Sequence, residues 1–313
     1  MKERKKLNKL VVILGPTASG KSSMAIKLAK FFNGEIISAD SRQIYKEMDI
    51  GTNKIPLLYP PLFQKGRIKG GGYMIDITKP NQSFTVAQFK KKVIKIIKDI
   101  QKRNKIPFLV GGTGLYISAI TDNLKIPEIK PNEKLRKKIE KEIKKYGLGK
   151  IYQKLLKLDP GAKNFIEEKN PRRIIRALEV CLTAGKSFSE LRKKGEPLFD
   201  VLKIGIKTPR QILYKKINRR VDEMLKQGLL KEVENLAKKY SWQLPAMSGI
   251  GYKQLGMYLR KEIDLNQAIN LIKRDTRRYA RRQISWFKRD KNIHWIKNRQ
   301  KAKKIIKEFL SKD

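Results

Sequence analysis

At 313 residues with 40% hydrophobic content, the chain is long enough to bury a core as one large α/β domain, with or without a smaller domain inserted. Its single cysteine, Cys181, excludes an internal disulfide, and the apolar run around it predicts a buried helical thiol in a reducing compartment. The apolar stretch near the N-terminus, residues 10–14, is too short for a signal peptide or a membrane span, so we expect a cytoplasmic protein with no membrane partner.

The net charge has two competing explanations. The 74 lysines and arginines exceed the 29 acidic residues by 45, which suits a polyanionic partner such as nucleic acid. Much of the excess is lysine in a chain also rich in isoleucine and asparagine, which is the drift expected of an AT-rich genome. Local clusters of charge, rather than the total, must therefore carry any argument for nucleic-acid binding.

The N-terminal part alternates short apolar runs with helical patterns. Residues 10–14 form an apolar run that ends at a glycine and precedes the helical pattern 22–32. Two further apolar runs, 35–38 and 107–110, flank the helical pattern 86–102. This alternation predicts a doubly wound α/β core with a parallel sheet.

The strand pattern disappears in the middle of the chain and then returns. Lysine-rich helical stretches fill the middle, a strand pattern reappears at 201–206, and a last short strand is predicted at 293–296 before a basic tail helix. The predicted segments are the first part of the core at 1–125, a helical insertion at 126–196, and the second part of the core with basic C-terminal helices at 197–313.

The segment after the first strand matches the phosphate-binding pattern G-x-x-x-x-G-K-[ST]. Its residues are Gly15, Pro16, Thr17, Ala18, Ser19, Gly20, Lys21 and Ser22. In such a loop the backbone N–H groups converge on phosphate oxygens, Lys21 adds a mobile charge, and the Ser22 hydroxyl is placed to hold Mg²⁺. A strand before it and a helix after it distinguish this motif from a plain strand-to-helix turn, and they predict a di- or triphosphate ligand.

Hydrolysis of a nucleoside triphosphate also needs an acidic metal ligand at the end of a second strand. The strand at 107–110 instead runs into Gly111, Gly112, Thr113 and Gly114, with no carboxylate. The apolar run that closes on an aspartate ends at Asp40 and leads into 41–43, which is more polar than a metal site requires. The pattern therefore argues against an ordinary ATPase.

Together these segments resemble the tRNA dimethylallyltransferase family, whose members prenylate N6 of the adenosine next to the anticodon. The matching motifs run the length of the chain in order. They are G-P-T-A-S-G-K-S at 15–22, D-S-R-Q at 40–43, M-D-I-G-T at 48–52, V-G-G-T-G-L-Y at 110–116, N-P-R-R at 170–173, R-A-L-E-V at 176–180, G-Y-K-Q at 251–254 and R-R-Q-I-S-W-F at 281–287.

The resemblance implies a P-loop core that binds dimethylallyl diphosphate, a helical insertion that binds the tRNA anticodon stem-loop, Mg²⁺ as cofactor, and a monomer. It implies that Asp40 accepts or orients the proton of N6, that Thr113 contacts the diphosphate or its bridging oxygen, and that Arg220 reaches the pyrophosphate. Each residue has a simpler alternative. Asp40 could cap a turn, Thr113 could be a turn residue, and Arg220 could be a solvated helix charge.

The C-terminal basic region suggests contacts with an RNA backbone. Residues 273–291 contain nine lysines and arginines with aromatic residues among them, and Arg274 and Arg278 share a helix face with Arg281 and Arg282. For Trp286, stacking on a base and packing in the core both stay open, with packing favoured. The residues predicted to contact tRNA are Asp40, Ser41, Arg42, Gln43, Thr113, Arg136, Arg172, Arg173, Arg176, Gly251, Tyr252, Lys253, Arg281, Arg282, Gln283, Trp286 and Lys288.

Three other functions share parts of this pattern. A prenyltransferase acting on free adenine nucleotides would keep the P-loop and Asp40 but would not need the insertion. A P-loop kinase for small molecules would consume ATP without a prenyl donor. A non-catalytic RNA-binding protein would tolerate the loss of Lys21.

Overall fold

The computed structural model of the chain describes residues 7–54, 73–126, 129, 132–191 and 193–312. Contacts group the chain into two compact units. One unit combines residues 1–121 with residues 198–313, and the other comprises residues 122–197. The second unit thus interrupts the first along the sequence, as an inserted domain does.

The larger unit is built around a parallel sheet. Its strands are β1 (Lys9–Leu14), β2 (Gly34–Ala39), β3 (Ile106–Gly111), β4 (Asp200–Ile206) and β5 (Ile293–Ile296). They lie in the order β2-β3-β1-β4-β5, and each neighbouring pair is parallel. All the strands predicted from apolar runs are present, and the α/β fold with a parallel sheet is confirmed.

Helices cover both faces of this sheet, because successive side chains of a strand point to opposite sides. In β1, Val12 belongs to the apolar cluster formed with α2 (Val86–Lys102) and α3 (Gly114–Thr121). Its neighbour Val11 belongs to the opposite cluster, formed with α1 (Lys21–Phe31) and α12 (Arg299–Ser311). Burial on both faces explains why the strands read as continuous apolar runs.

The helices α1 and α2 begin at or near the residues that the sequence pattern predicted. Helix α2 spans the predicted residues, and Thr85 with Gln88 forms a capping box at its start. Helix α1 begins at Lys21, one residue before the predicted start. None of the helices in the described parts of the chain combines the length and the apolar composition needed to cross a membrane.

The C-terminal helices form a third apolar cluster with the segment that follows β2. They are α8 (Arg210–Lys226), α9 (Leu229–Lys239), α10 (Tyr252–Leu259) and α11 (Leu265–Phe287). Met48, from the segment after β2, is fully buried in this cluster, and so is Leu255 of α10. The packing holds the C-terminal helices beside the loop that begins at Asp40.

The smaller unit is helical among its described residues, apart from one isolated bridge between Leu124 and Lys194. Its helices are α4 (Glu133–Tyr146), α5 (Leu148–Leu158), α6 (Pro171–Ala184) and the short α7 (Phe188–Leu191). They share a core of their own that includes Leu155 and Ile174. Cys181 is a buried free thiol in this core, as the sequence predicted.

Candidate active site

Three loops that were predicted to carry chemistry begin at one edge of the sheet. Leu14 and Ala39 are both paired with Gly111 in the strand register, so β1, β2 and β3 end at the same level. The chain then continues into Gly15 after β1 and into Asp40 after β2. The carboxyl edge of a parallel sheet, where neighbouring strands diverge into loops, is where such folds bind ligands.

The loop from Gly15 to Ser22 has the backbone of an anion cradle. Three of its residues have positive φ angles, namely Gly15 at 154°, Ala18 at 61° and Gly20 at 86°. Gly20 is the N-cap of α1 and has no side chain to bond the first N–H groups of the helix. Those N–H groups and the positive end of the helix dipole are therefore available to an anion.

The ammonium group of Lys21 lies at the same loop and is partly deprived of water. Its Nζ donates a hydrogen bond of 3.2 Å to the carbonyl oxygen of Pro16. Burial lowers the pKa of Lys21 to about 8, against the opposing effect of Asp40 and with a further lowering by Arg220. An anion bound beside Lys21 would stabilise the charged form of its side chain and raise its pKa again.

Two hydroxyl groups of the loop bear on ligand binding. The Oγ of Ser19 is buried and, within the described residues, has no hydrogen-bond partner, which is unusual for a native structure. Ser22 lies in the first turn of α1 and is half-buried. In the described parts of the chain no cluster of three or more His, Cys, Asp or Glu residues could hold a metal ion. Mg²⁺ usually takes few protein ligands beside substrate phosphates and water, so a single hydroxyl such as that of Ser22 fits its coordination chemistry.

Asp40 and Thr113 lie on adjacent loops joined by hydrogen bonds. Oδ1 of Asp40 accepts a 2.8 Å bond from the backbone N–H of Arg42, so the turn-capping alternative describes one of its two oxygens. Oγ1 of Thr113 accepts a 3.0 Å bond from the N–H of Ser41. The Thr113 N–H in turn donates to the carbonyl of Ala39 at 3.2 Å. The loops that carry Asp40 and Thr113 are thus joined by hydrogen bonds, and the roles of the two residues stay predictions.

Arg220 reaches the phosphate loop from α8. Its Nη1 donates to Oγ1 of Thr17 at 3.3 Å, and burial lowers the pKa of its guanidinium. A solvated helix charge, the simpler alternative, does not describe this environment. The guanidinium is instead held beside the loop that runs from Gly15 to Ser22.

Gln283 is placed differently from the prediction. It was expected to contact tRNA, but its side chain is 5% exposed and lies between two loops of the site. Its Oε1 accepts from the N–H of Thr17 at 2.8 Å, and its Nε2 donates to the carbonyl of Gly112 at 2.9 Å. Because both ends of the carboxamide are used internally, the structure assigns it to the site's framework.

Arg42 and Gln43 are also engaged within the protein. Nη1 of Arg42 donates to the carbonyl of Pro245 at 2.7 Å, and Nε2 of Gln43 donates to the carbonyl of Asn53 at 3.2 Å. The Oε1 of Gln43 accepts from the Ser38 hydroxyl at 2.9 Å. These side chains hold neighbouring segments around Asp40, and because both stay partly exposed, their contact with tRNA stays a prediction.

Residues 251–253, which were predicted to contact tRNA, differ in their exposure. Tyr252 is fully buried, and its hydroxyl donates to Oε1 of Glu232 at 2.7 Å. Gly251 is buried at a φ of 96°, in the region that favours glycine. Lys253 alone of the three is exposed. Only Lys253 is therefore placed to meet a large partner.

In the helical unit, two of the predicted tRNA contacts neutralise a buried acid. Arg136 and Arg176 both bind the carboxylate of Glu179, at 2.9 Å and 2.6 Å. Burial alone would raise the pKa of Glu179, but these two partners hold it below its ordinary value. Arg172 and Arg173, one turn earlier in α6, are exposed. The exposed pair can meet RNA. Arg136 and Arg176 bind Glu179 with side chains that are 30% and 33% exposed, and their contact with tRNA stays a prediction.

Helix α11 presents both a basic face and a packed face. Arg281, Arg282 and Lys288 are exposed, as a contact with a phosphate backbone requires. Trp286 packs against the core near Gly114, where an added Cβ would lie 2.3 Å from its ring. Packing rather than base stacking thus accounts for Trp286, which was the favoured alternative.

Sequence reasoning did not assign Tyr279 to the site. Its hydroxyl shares a hydrogen bond with Thr113, and burial, followed by the charge of Asp40, raises the pKa of the phenol. Tyr279 stands four residues before Gln283 and so lies on the same face of α11. An aromatic residue within a basic helix gave no signal that it faced the sheet edge.

Comparisons with known proteins agree on one family. The family model described as IPP transferase matches residues 43–290, and a second, described as isopentenyl transferase, matches residues 8–56. A protein of Halothermothrix orenii, named tRNA dimethylallyltransferase, is 46% identical over 314 aligned positions that cover 96% of this chain and 93% of its own.

Solved structures show the same likeness. The tRNA isopentenylpyrophosphate transferase of Bacillus halodurans is 37% identical, with a TM-score of 0.70 over 97% of this chain and 96% of its own. A eukaryotic dimethylallyltransferase acting on tRNA is 28% identical, with a TM-score of 0.78 over 97% of this chain and 80% of its own.

Proposed function

The chain belongs to the IPP transferase family and is a prenyltransferase that modifies tRNA, and we propose that its donor is dimethylallyl diphosphate and its acceptor N6 of the adenosine next to the anticodon. The observation that carries this proposal is the meeting of the phosphate loop with Asp40 and Thr113 at one edge of the sheet. One loop is built for a diphosphate, and the other offers a carboxylate to an incoming amine.

The proposed binding site for the donor's diphosphate rests on the charges around the phosphate loop. The N–H groups that begin α1, the ammonium of Lys21 and the guanidinium of Arg220 surround the same space. Such groups stabilise the negative charge that grows on diphosphate as the allylic C–O bond breaks. The hydroxyl of Ser19, which has no hydrogen-bond partner among the described residues, gives one more donor to a phosphate oxygen.

We propose that Mg²⁺ is held through the Ser22 hydroxyl, since the first turn of α1 places it beside the phosphate loop. When bound, the ion neutralises leaving-group charge. Lys21 and Arg220 act in the same sense, because both are positive and lie against the loop.

Asp40 is the residue proposed to act on the acceptor amine. One oxygen of its carboxylate is used by the turn, and the other has no hydrogen-bond donor among the described residues. That second oxygen is proposed to take the N6 proton as the N–C bond forms and diphosphate leaves. Thr113, fixed by Ser41 and Tyr279, is proposed to bind the bridging oxygen of the donor.

Basic surfaces of each unit are proposed to bind the anticodon stem-loop. In the larger unit these are the exposed Arg281, Arg282 and Lys288 of α11. In the helical unit they are the exposed Arg172 and Arg173 at the start of α6. Phosphate contacts of this kind supply affinity, while the target base must leave the stack to reach a carboxylate in a crevice. The cytoplasm is the proposed compartment, in keeping with the free thiol of the fold.

The proposal is tested by incubating the protein with bulk tRNA, dimethylallyl diphosphate and Mg²⁺, and then measuring nucleoside masses after digestion. We expect one modified adenosine that carries a dimethylallyl group, and comparable transfer to an isolated anticodon stem-loop. AMP in place of tRNA should remain unmodified. Modification of AMP at a similar rate would instead identify a free-nucleotide prenyltransferase, and ATP consumption without a prenyl donor would identify a kinase.

A further inference from the structure

One buried side chain joins the two halves of the site. Gln283 of α11 accepts from the N–H of Thr17 in the phosphate loop and donates to the carbonyl of Gly112 in the loop after β3. We infer that Gln283 is a positioning residue that holds the phosphate loop in its diphosphate-binding shape. The inference rests on the proposed function only in requiring that this loop binds a diphosphate.

Thr17 is held from two helices at once. Its backbone N–H is bound by Gln283 of α11 at 2.8 Å, and its hydroxyl is bound by Arg220 of α8 at 3.3 Å. The following residue, Ala18, adopts a positive φ of 61°, which an alanine does not favour without outside support. Fixing Thr17 on both sides supplies that support and presets the direction of the loop's remaining N–H groups.

The other end of the carboxamide sets the position of Gly112. A Cβ added at Gly112 would lie 2.2 Å from Nε2 of Gln283, so a larger residue there would displace the carboxamide. Gly112 directly precedes Thr113, whose hydroxyl binds the N–H of Ser41. A single carboxamide thus sets the distance between the donor loop and the loop beside Asp40.

The neighbours of Gln283 on its helix face bind the same loop. Tyr279, one turn before it, bonds to Thr113, and Trp286, almost one turn after it, packs on Gly114. The exposed Arg281 lies two residues before Gln283 on the same helix. Helix α11 therefore supports the catalytic loops through one face while its other face is free to meet RNA.

Removing the carboxamide should weaken diphosphate binding more than RNA binding. In Gln283→Met the side-chain volume is nearly kept and both hydrogen bonds are lost, so the Thr17 N–H is left without its partner. We expect the dissociation constant for inorganic pyrophosphate with Mg²⁺, measured by calorimetry, to rise by about tenfold. Affinity for bulk tRNA should change by less than about twofold. Gln300→Met, at an exposed position of α12, is the matched control and should change neither.

A second variant separates hydrogen bonding from packing. Gln283→Glu keeps the size of the side chain, but its ionised carboxylate repels the Gly112 carbonyl and cannot donate to it. Once protonated, the introduced carboxyl donates to that carbonyl again. Position 283 is buried, so the pKa of the introduced carboxyl should be raised toward neutral, and pyrophosphate binding relative to wild type should recover at least about threefold when the pH falls from about 8 to about 6. A loss due to packing alone would show no such recovery. A recovery that persists at about 0.5 M salt supports lost positioning, whereas one that disappears there would show simple charge repulsion of pyrophosphate. This variant tests the inference even if the methionine variant unfolds.

Two results would overturn the inference. Unchanged pyrophosphate affinity in both variants would show that the phosphate loop keeps its shape unaided. Tighter binding would show that the carboxamide competes with diphosphate for the Thr17 N–H. The readout is independent of prenyl transfer, since a wild-type protein that binds pyrophosphate without modifying tRNA would contradict the proposed function and leave this test intact.

Discussion

Replacing Lys21 with methionine should stabilise the fold while abolishing donor binding. In the folded protein burial lowers the pKa of Lys21 from its ordinary value of 10.5 to about 8. A pKa difference of that size lowers the free energy of unfolding by about 3 kcal/mol at neutral pH. Because the side chain is partly exposed, we expect the loss to be about 1 to 3 kcal/mol. Methionine has a similar length and a similar helix propensity, so Lys21→Met removes the buried charge with little other change.

The stability difference between Lys21→Met and wild type should depend on pH. Because the folded-state pKa lies below the unfolded-state pKa, the unfolded chain binds the proton more tightly, and the charged lysine opposes folding at every pH below about 8. The opposition fades as the pH rises from about 8 toward 10.5. The excess stability of Lys21→Met should therefore be largest at neutral pH and should vanish near pH 10.5.

Urea denaturation of both proteins across this pH range measures the difference directly. Lys27→Met, at an exposed position of α1, is the control and should shift the free energy of unfolding by less than about 0.5 kcal/mol. Added pyrophosphate at about 100 times its dissociation constant should stabilise wild type by about 2.7 kcal/mol and the Lys21 variant hardly at all. A Lys21→Met protein that is less stable than wild type at neutral pH would refute the reasoning, as would one that still gains stability from pyrophosphate.

Four further variants test the acceptor side, the RNA side and the helical unit. Asp40→Asn keeps the turn-capping oxygen and should lower the single-turnover rate of prenyl transfer by about 10² to 10⁴. Donor and tRNA binding should change far less. A variant that keeps more than about half of the wild-type rate would rule out the proton-accepting role. Reversing charge at Arg281 and Arg282 should weaken tRNA binding and flatten its dependence on salt, and an unchanged slope would place α11 away from the RNA. In the helical unit, Arg136→Ala should lower the free energy of unfolding by about 1 to 3 kcal/mol because a buried carboxylate loses a partner. Arg173→Ala should leave stability within about 0.5 kcal/mol of wild type while weakening tRNA binding, and the reverse pattern would contradict the division of roles.

The sheet and the phosphate loop could be predicted because their signals are local. A strand buried on both faces must be apolar along its whole length, so each run such as 10–14 was visible in the sequence. The glycines of the loop from Gly15 to Ser22 were equally visible, since two of its positive φ angles fall on glycine. Asp40 and Thr113 were proposed through the resemblance, and they lie at one edge because parallel strands end there together.

Which polar side chains turn inward was decided only by the tertiary structure. Gln283 and Arg281 stand two residues apart in one basic helix, yet the first is buried against Thr17 and the second is exposed. Arg176 and Arg173 likewise stand within one turn of α6, and only Arg176 binds Glu179. A glutamine or an arginine on a helix satisfies its hydrogen bonds equally well with water or with a buried partner. The choice depends on a carbonyl, an N–H or a carboxylate supplied by a segment distant in the chain, which only the packed fold brings within reach.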